Sequence, residues 1–442
     1  MTMITKDESI PERRITISSD LLKRYFSVSL FAFGFNFVTT CEYVHFKAII
    51  REIGSISELG ISILLSSALI ALCFGALVGG IINDSTRTKY GQRAPSIFFG
   101  TLVTSALLIV IPLFTLFLHN IRAIFYLLLI ILIFSHISLG FAYSPWLALL
   151  PDLFSKKERM SAAIVITIIS AVGAAIANIV FSILVDYNRS WMIWIITGSV
   201  LAISGLITVL LIPKENPEVN IETKKSDILR IPQIILKHGG KNWIFLLLVS
   251  CVWAFSSHLV ETSIVDSLTI RFVLYDNTRA SFASNILMGC YVAIMILPLL
   301  WLGNKINKRN SSILASIFYC SFCLLLAIMK DFSWIYFIAI FGGIGNILIS
   351  TLQIALPAEI VPKGREASFL GTFFVFGAIV KPLATLIQGL ILDKNPENSS
   401  LASIGGYPWV FILAAIVAIS AIIFLLFIKE KKIEDKIQYS VE

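Results

Sequence analysis

The sequence predicts an all-α polytopic membrane protein with twelve transmembrane helices in two halves of six, and three observations predict it. The first is composition: 57% of the 442 residues are hydrophobic and only 14% charged, with a mean hydropathy of +0.88. Soluble domains hold roughly 45–50% apolar and 25% charged residues. The second is a series of apolar runs that approach or exceed the ~20 residues needed to cross a ~30 Å hydrocarbon layer as helix, without the alternation of a barrel strand. The third is an internal echo. Pro151-Asp152 and Lys156 recur as Pro357, Glu359 and Lys363, 206 residues later for the proline and 207 for the acid and the lysine. A tandem duplication leaves such a spacing, and parallel repeats are a mark of transporter architectures.

The spans lie at about 25–50, 58–83, 95–118, 122–150, 160–185, 190–212, 242–270, 280–303, 311–329, 332–356, 367–392 and 407–428. Residues 1–24 form a polar N-tail, 213–241 a charged linker with Pro213, Pro217, Pro232 and Gly239-Gly240, and 429–442 a C-tail. The bundles are therefore 25–212 and 242–428. The N-tail has no apolar h-region, so no cleavable signal is expected and the first span directs insertion. Of the 35 Lys and Arg residues, 26 fall in the tails and loops at one end of the spans, 7 fall at the other end, and Lys47 and Lys381 sit inside spans. The positive-inside rule puts both termini in the cytoplasm of a cell with the protein in its plasma membrane. The net charge of +8 is then a topology signal and does not point to nucleic acid. All six cysteines fall within spans, and Cys320 and Cys323, though CxxC-spaced, read as small apolar residues. No metal and no cofactor is expected.

Between spans two and three lies Gly80-x-x-x-Asp84, followed by Arg87, Lys89, Gly91, Arg93 and Pro95. At the end of span four comes Pro145-Trp146-x-Ala148-Leu149-x-Pro151-Asp152, then, leading into span five, Glu158-Arg159-x-Ser161-Ala162. Both stretches resemble those of the major facilitator superfamily, and the likeness covers essentially the whole chain. The longer forms are similar to the "DRTRTRWGRRRP" and "PYxALxPE…ERxxxSA" patterns of the glycoside-pentoside-hexuronide cation symporters and sucrose-type transporters. Ser85, Gln92 and Ala94 depart from the first pattern. The resemblance implies two pseudo-symmetric six-helix bundles around a central cavity, alternating access, and a monomer. It also implies cation-binding acids in helices one and two, but Asn36 and Ala76 stand there, which argues against sodium. Lys381 suggests the group's helix-eleven lysine.

A charge at bilayer depth is costly and persists only facing protein or water, so each one marks a candidate site. Glu42, with His45 and Lys47, lies about 27 Å from Arg24 along the first span at 1.5 Å per residue. It is either a water-facing extracellular cluster or part of a proton-coupling site. In span seven His258 and Glu261 are three apart and share a helix face. They are either a proton-exchanging pair or a satisfied structural one. Lys381-Pro382 breaks span eleven, because proline leaves a backbone carbonyl unpaired. The cation beside it suits a cavity, either on a substrate hydroxyl or carboxylate or opposite Glu42 or Glu261, the plainer alternative being a lipid-facing accident. Asn36, Trp146, Trp253, Asn346, Gln353 and Gln388 lie on helices that line the cavity in the resembling fold. They are candidate sugar contacts, although tryptophan in a membrane protein is commonly an interface anchor or core filler. Asp84, Arg87, Arg93, Asp152, Arg159, Glu359 and Arg365 form a candidate inner gate, the plainer alternative being ordinary loop charge. Gly75 and Gly79 give a GxxxG for close helix contact.

The leading expectation is proton-coupled symport of a sugar or glycoside, with the bilayer as the other partner. A facilitator or exporter of drugs or lysolipids is the nearest alternative. A membrane transferase is a weaker one, because no Asp-rich or His/Asp constellation stands out in the loops. No GxxxxGK[ST] motif supports ATP-driven pumping.

Overall fold

The computed structural model describes residues 19–46, 49–50, 58–86, 88, 90–118, 120–155, 158–212, 231–272, 308–361, 366–394 and 406–428. Residues 1–18 of the N-tail, the C-tail, most of the linker, span eight, Lys47, Arg87 and Arg365 lie outside these residues.

The first half holds α1 (Ser19–Thr40), α2 (Glu58–Ser85), α3 (Ala94–Phe117), α4 (Ile121–Leu153), α5 (Arg159–Asp186) and α6 (Trp191–Leu211). The second holds α7 (Ile231–Glu261), α8 (Ile264–Arg271), α9 (Lys308–Ile328), α10 (Ile335–Ile360), α11 (Glu366–Ala378), α12 (Lys381–Lys394) and α13 (Tyr407–Leu426). Among the described residues ten segments are long and apolar enough to cross a membrane.

Three boundaries differ from expectation for identifiable reasons. Helix α7 begins at Ile231, inside the expected linker; Pro232 sits in its first turn, where a missing N–H costs nothing. Span seven does not run to 270 but stops at Glu261, turns at Thr262 and Ser263, and restarts as α8. Span one passes from α1 into a π turn at Cys41–His45. Span eleven breaks at 379–380 and restarts at Lys381-Pro382, as the proline predicts.

Within the first half α1 packs on α5 and α6, α2 on α4, and α3 on α4 and α6; within the second α9 packs on α10 and α13, and α7 on α13. The halves meet where α11 lies against α2 and α4, α12 against α2, and α10 against α5. The α2–α4 seam depends on glycine. A Cβ at Gly75 would land on the Ile137 carbonyl, and one at Gly140 on the Leu72 carbonyl. Adding a methyl group therefore forces two backbones apart. Overpacking of this kind costs about 1–3 kcal/mol, so Gly140→Ala should lower the unfolding midpoint in detergent by several degrees, while Gly389→Ala, with open space around it, should leave it unchanged.

Candidate functional site

Between the halves lies a cavity of about 370 Å³. From the first half Phe35, Asn36, Tyr43, Tyr143 and Asn178 line it; from the second, Glu261, Asn346, Gln353, Phe374 and Lys381 do. Of the residues the sequence offered for the cavity, Asn36, Asn346, Gln353 and Lys381 line it; Glu261, offered as a proton-coupling partner of His258, lines it too. Asn36 donates its amide to Ala32 O at 2.9 Å, which anchors the side chain on its own helix. Phe35, Tyr143 and Phe374 make a continuous aromatic wall, with centroids 4.6 Å apart for Phe35–Tyr143 and 4.2 Å for Tyr143–Phe374.

Three expected cavity residues are not on its wall. Trp146 is buried and donates Nε1–H to Val28 O at 2.6 Å. Trp253 donates Nε1–H to Ser316 Oγ at 2.9 Å. Gln388 clamps the break after α7: it donates to Ser263 Oγ at 2.8 Å and accepts from Thr262 Oγ1 at 2.8 Å. A buried indole N–H or amide takes the nearest partner, and all three partners here are internal. Trp253→Phe removes one hydrogen bond worth about 1 kcal/mol. It should lower thermal stability modestly and leave the KM for transported solute unchanged, whereas a cavity contact would raise KM.

The π turn distributes the charges. Its extra residue rotates successive side chains away from an α-helical register. Tyr43 faces the cavity, where Lys381 Nζ donates to its hydroxyl at 3.3 Å and lies 4.7 Å from its ring centroid. The Tyr43 ring meets His258 edge-on at 5.0 Å. His45 turns to Asn178 Oδ1 at 3.2 Å. Glu42 is not water-facing: it is 4% exposed, lies off the cavity wall, and meets His136 of α4. The sequence reading did not single out His136, because one histidine in an apolar span gives no pattern.

The expected pairing of His258 with Glu261 is not made. His258 Nε2 stands 3.0 Å from Thr385 Oγ1, which also lies 3.1 Å from Lys381 O. The buried Nδ1 is left without a partner. Glu261 points at the cavity instead.

At the basic end the halves are joined around Arg93, which is 1% exposed. Its guanidinium reaches Asp84 at 2.7 Å, Asp152 at 2.9 Å and Glu366 at 3.1 Å, and donates to Asn83 Oδ1 at 2.6 Å. Burial opposes the Arg93 charge, yet Asp152 and Asp84 outweigh it and hold its pKa above the ordinary arginine value. Asp84 also accepts from the backbone N–H groups of Ala367 at 3.2 Å and Ser368 at 2.7 Å. Those amides are orphan donors in the first turn of α11, where the helix dipole favours an anion. Arg159 donates to Ala358 O across the halves at 2.5 Å and to Pro151 O at 3.1 Å.

Asp84, Arg93 and Asp152 are thus brought together in one network, with Asn83 and Glu366 as members not expected from the sequence, while Arg159 bridges the halves separately through backbone carbonyls. Arg87 and Arg365 lie outside the described residues, as does the side chain of Glu359. Glu366 carries one usable sequence signal, since a carboxylate in the first turn of a helix is favoured there.

The Major Facilitator Superfamily family model matches residues 25–385 and 280–441. Among solved structures, 310 chains match. One is the crystal structure of a mutant of the nucleoside transporter NupG, with a TM-score of 0.63, 15% identity, and coverage of 93% of this chain and 100% of that one. No curated protein matches by sequence. At 15% identity the likeness to NupG shows the fold, whereas the family model covers most of the chain. The chain belongs to the major facilitator superfamily, as a multi-pass membrane transporter and not an enzyme.

Proposed function

We propose that the protein carries a neutral, polyhydroxylated solute, a sugar or glycoside, by proton-coupled symport with alternating access. The observation that carries this reading is the inter-half cavity. Amide and hydroxyl groups of Asn36, Asn346, Gln353 and Tyr43 surround it beside an aromatic wall. Sugar rings present hydroxyls at the edge and C–H groups on the face, so they match amides and aromatics together. Lys381 and Glu261 contribute one charge of each sign, which favours a neutral solute over an ion. The Asn36 and Ala76 positions favour a proton over sodium. In this reading the closed Arg93 network lies at the cytoplasmic face of the plasma membrane. The glycoside-pentoside-hexuronide likeness of the 84–95 and 145–162 stretches supports the sugar assignment.

The adjoining Phe35, Tyr143 and Phe374 rings, tilted by 40° and 42°, favour a second reading, since an aromatic wall also accepts a heterocyclic base, and NupG is named a nucleoside transporter. Reconstitution in liposomes with a panel of radiolabelled monosaccharides, β-glycosides, disaccharides and nucleosides decides between them. Accumulation of a sugar under an inward pH gradient, abolished by a protonophore and indifferent to sodium, is the expected result. Accumulation of nucleosides alone selects the second reading. No accumulation of any member favours the drug or lysolipid alternative.

A further inference from the structure

The interior of the first half holds a second set of ionisable groups that the cavity does not use. Glu42 Oε1 stands 2.7 Å from His136 Nε2, with side chains 5% and 1% exposed. The other ring nitrogen, Nδ1, stands 2.7 Å from the Leu132 carbonyl. A carbonyl only accepts, so Nδ1 carries a hydrogen. Nε2 stands 2.7 Å from the carboxylate oxygen, an ion-pair distance at which neither atom meets hydrogen-bond geometry, so a further proton is carried on the ring as imidazolium or on the acid as carboxyl. Without that proton a neutral ring nitrogen would press on an anionic oxygen in a dry interior, a repulsive contact that low dielectric strengthens.

The surroundings isolate the pair. Helices α3 and α6 contain no ionisable side chain, and those of α5 are Arg159 and Asp186 at its two ends. The described ionisable groups of α2 are Cys73 and, at its far end, Asp84. The other groups of α4 are Arg122, Tyr126, Tyr143 and Asp152, with Tyr143 on the cavity wall. On the π turn itself Cys41 is buried beside Glu42, His45 is taken by Asn178, and Tyr43 is taken by Lys381 of the other half. Glu42 and Tyr43 are adjacent residues of one five-residue π turn, Cys41–His45. Parting Glu42 from His136 therefore moves Tyr43 against Lys381 and the cavity.

We propose that the Glu42–His136 pair is the protein's proton-binding site, separate from the solute cavity, and that its proton fixes the π turn and thereby the Tyr43–Lys381 contact between the halves. It rests on the proton-coupled reading above and narrows it to one pair, leaving Glu261 to the solute. Loading binds one proton on the pair, at Nε2 or on the carboxylate. Release returns that proton to water on the other side and leaves a neutral ring beside a carboxylate, which part.

The test uses full-length protein in lipid nanodiscs without solute and follows amide hydrogen exchange, corrected for intrinsic rate, between about pH 5.5 and about pH 8.5, the range in which histidine-linked protons move. In wild type, protection of the peptides spanning the π turn and Glu366–Ala378 should fall by about tenfold as pH rises, as a local opening free energy drops. Glu42→Gln, whose amide stands in for the protonated acid, should hold the low-pH protection at both ends of the range. If Glu42→Gln is not recovered folded, Glu42→Asp is the readout, with the midpoint of the transition expected to shift.

A transition unchanged in Glu42→Gln, or in Glu42→Asp where that is the readout, overturns the proposal. So does its absence in wild type, or its loss in His258→Gln with retention in Glu42→Gln. Because no solute is present, the outcome is distinguishable from failure of the sugar reading in the liposome screen.

Discussion

Arg93→Ala is expected to abolish solute accumulation while leaving the protein inserted in the membrane. The arginine contacts Asp84, Asp152 and Glu366 at once. Its removal takes away the one buried charge that these three carboxylates share at the seam between the halves. Breaking a buried pair by deleting one partner costs on the order of 3–5 kcal/mol. A two-state equilibrium shifts from 1:99 to 99:1 with about 5.5 kcal/mol, so a loss of this size opens the basic end in most molecules. Transport needs both states, and a transporter held in one of them binds solute without moving it uphill. The expected pattern is therefore retained binding with lost accumulation in proteoliposomes. Arg93→Lys should recover little, because an ammonium cannot span three carboxylates and Asn83 with a planar fork. Wild-type accumulation by Arg93→Ala would remove the network from the mechanism.

The second large effect is expected at Lys381. Its ammonium joins the halves through Tyr43, by hydroxyl and by ring face. A desolvated cation–π contact is worth about 2 kcal/mol, which corresponds to about thirtyfold at 1.4 kcal/mol per decade. Lys381→Met should lower kcat/KM for uptake by at least that factor, because it also leaves Glu261 without an opposing charge in the cavity. Tyr43→Phe keeps the ring and loses only the 3.3 Å hydrogen bond, so a fewfold loss is expected. Tyr43→Ala should approach Lys381→Met, and the double variant should be no worse than the more damaged single, as for two groups acting through one contact. Additive losses would mean that the two residues work independently.

Much of this was legible in the sequence, for physical reasons that can be named. Spans follow from the cost of exposing backbone and charge to lipid, so hydropathy finds them. The Lys381-Pro382 break follows from a missing N–H. Asp84, Arg93 and Asp152 were visible because charge clustered in short loops is a strong signal. Glu366, at the first turn of α11, was not singled out although it reaches Arg93; the side chain of Glu359, the acid to which the repeat pointed, lies outside the described residues.

The π turn was not legible, since Cys41-Glu42-Tyr43-Val44-His45 carries no residue that forbids an ordinary helix. It redirects Glu42 to His136 and sends Tyr43 to Lys381, so the partners of the span-one charges could not be read from spacing. Trp146, Trp253 and Gln388 were assigned to the cavity by residue type and helix. Their N–H and amide groups are satisfied internally, and side-chain rotamers decide that.

The central claim is that one cavity, closed at the basic end by the Arg93 network, opens there when the network breaks. The most direct measurement places a single cysteine at Asn36, with the six native cysteines replaced, and times its labelling by a membrane-impermeant thiol reagent added from the basic end. Slow labelling with Arg93 present, and labelling at least about tenfold faster in Arg93→Ala, is the expected result, since about 1.4 kcal/mol already shifts an equilibrium by a decade. Equal labelling rates with and without Arg93 would contradict it.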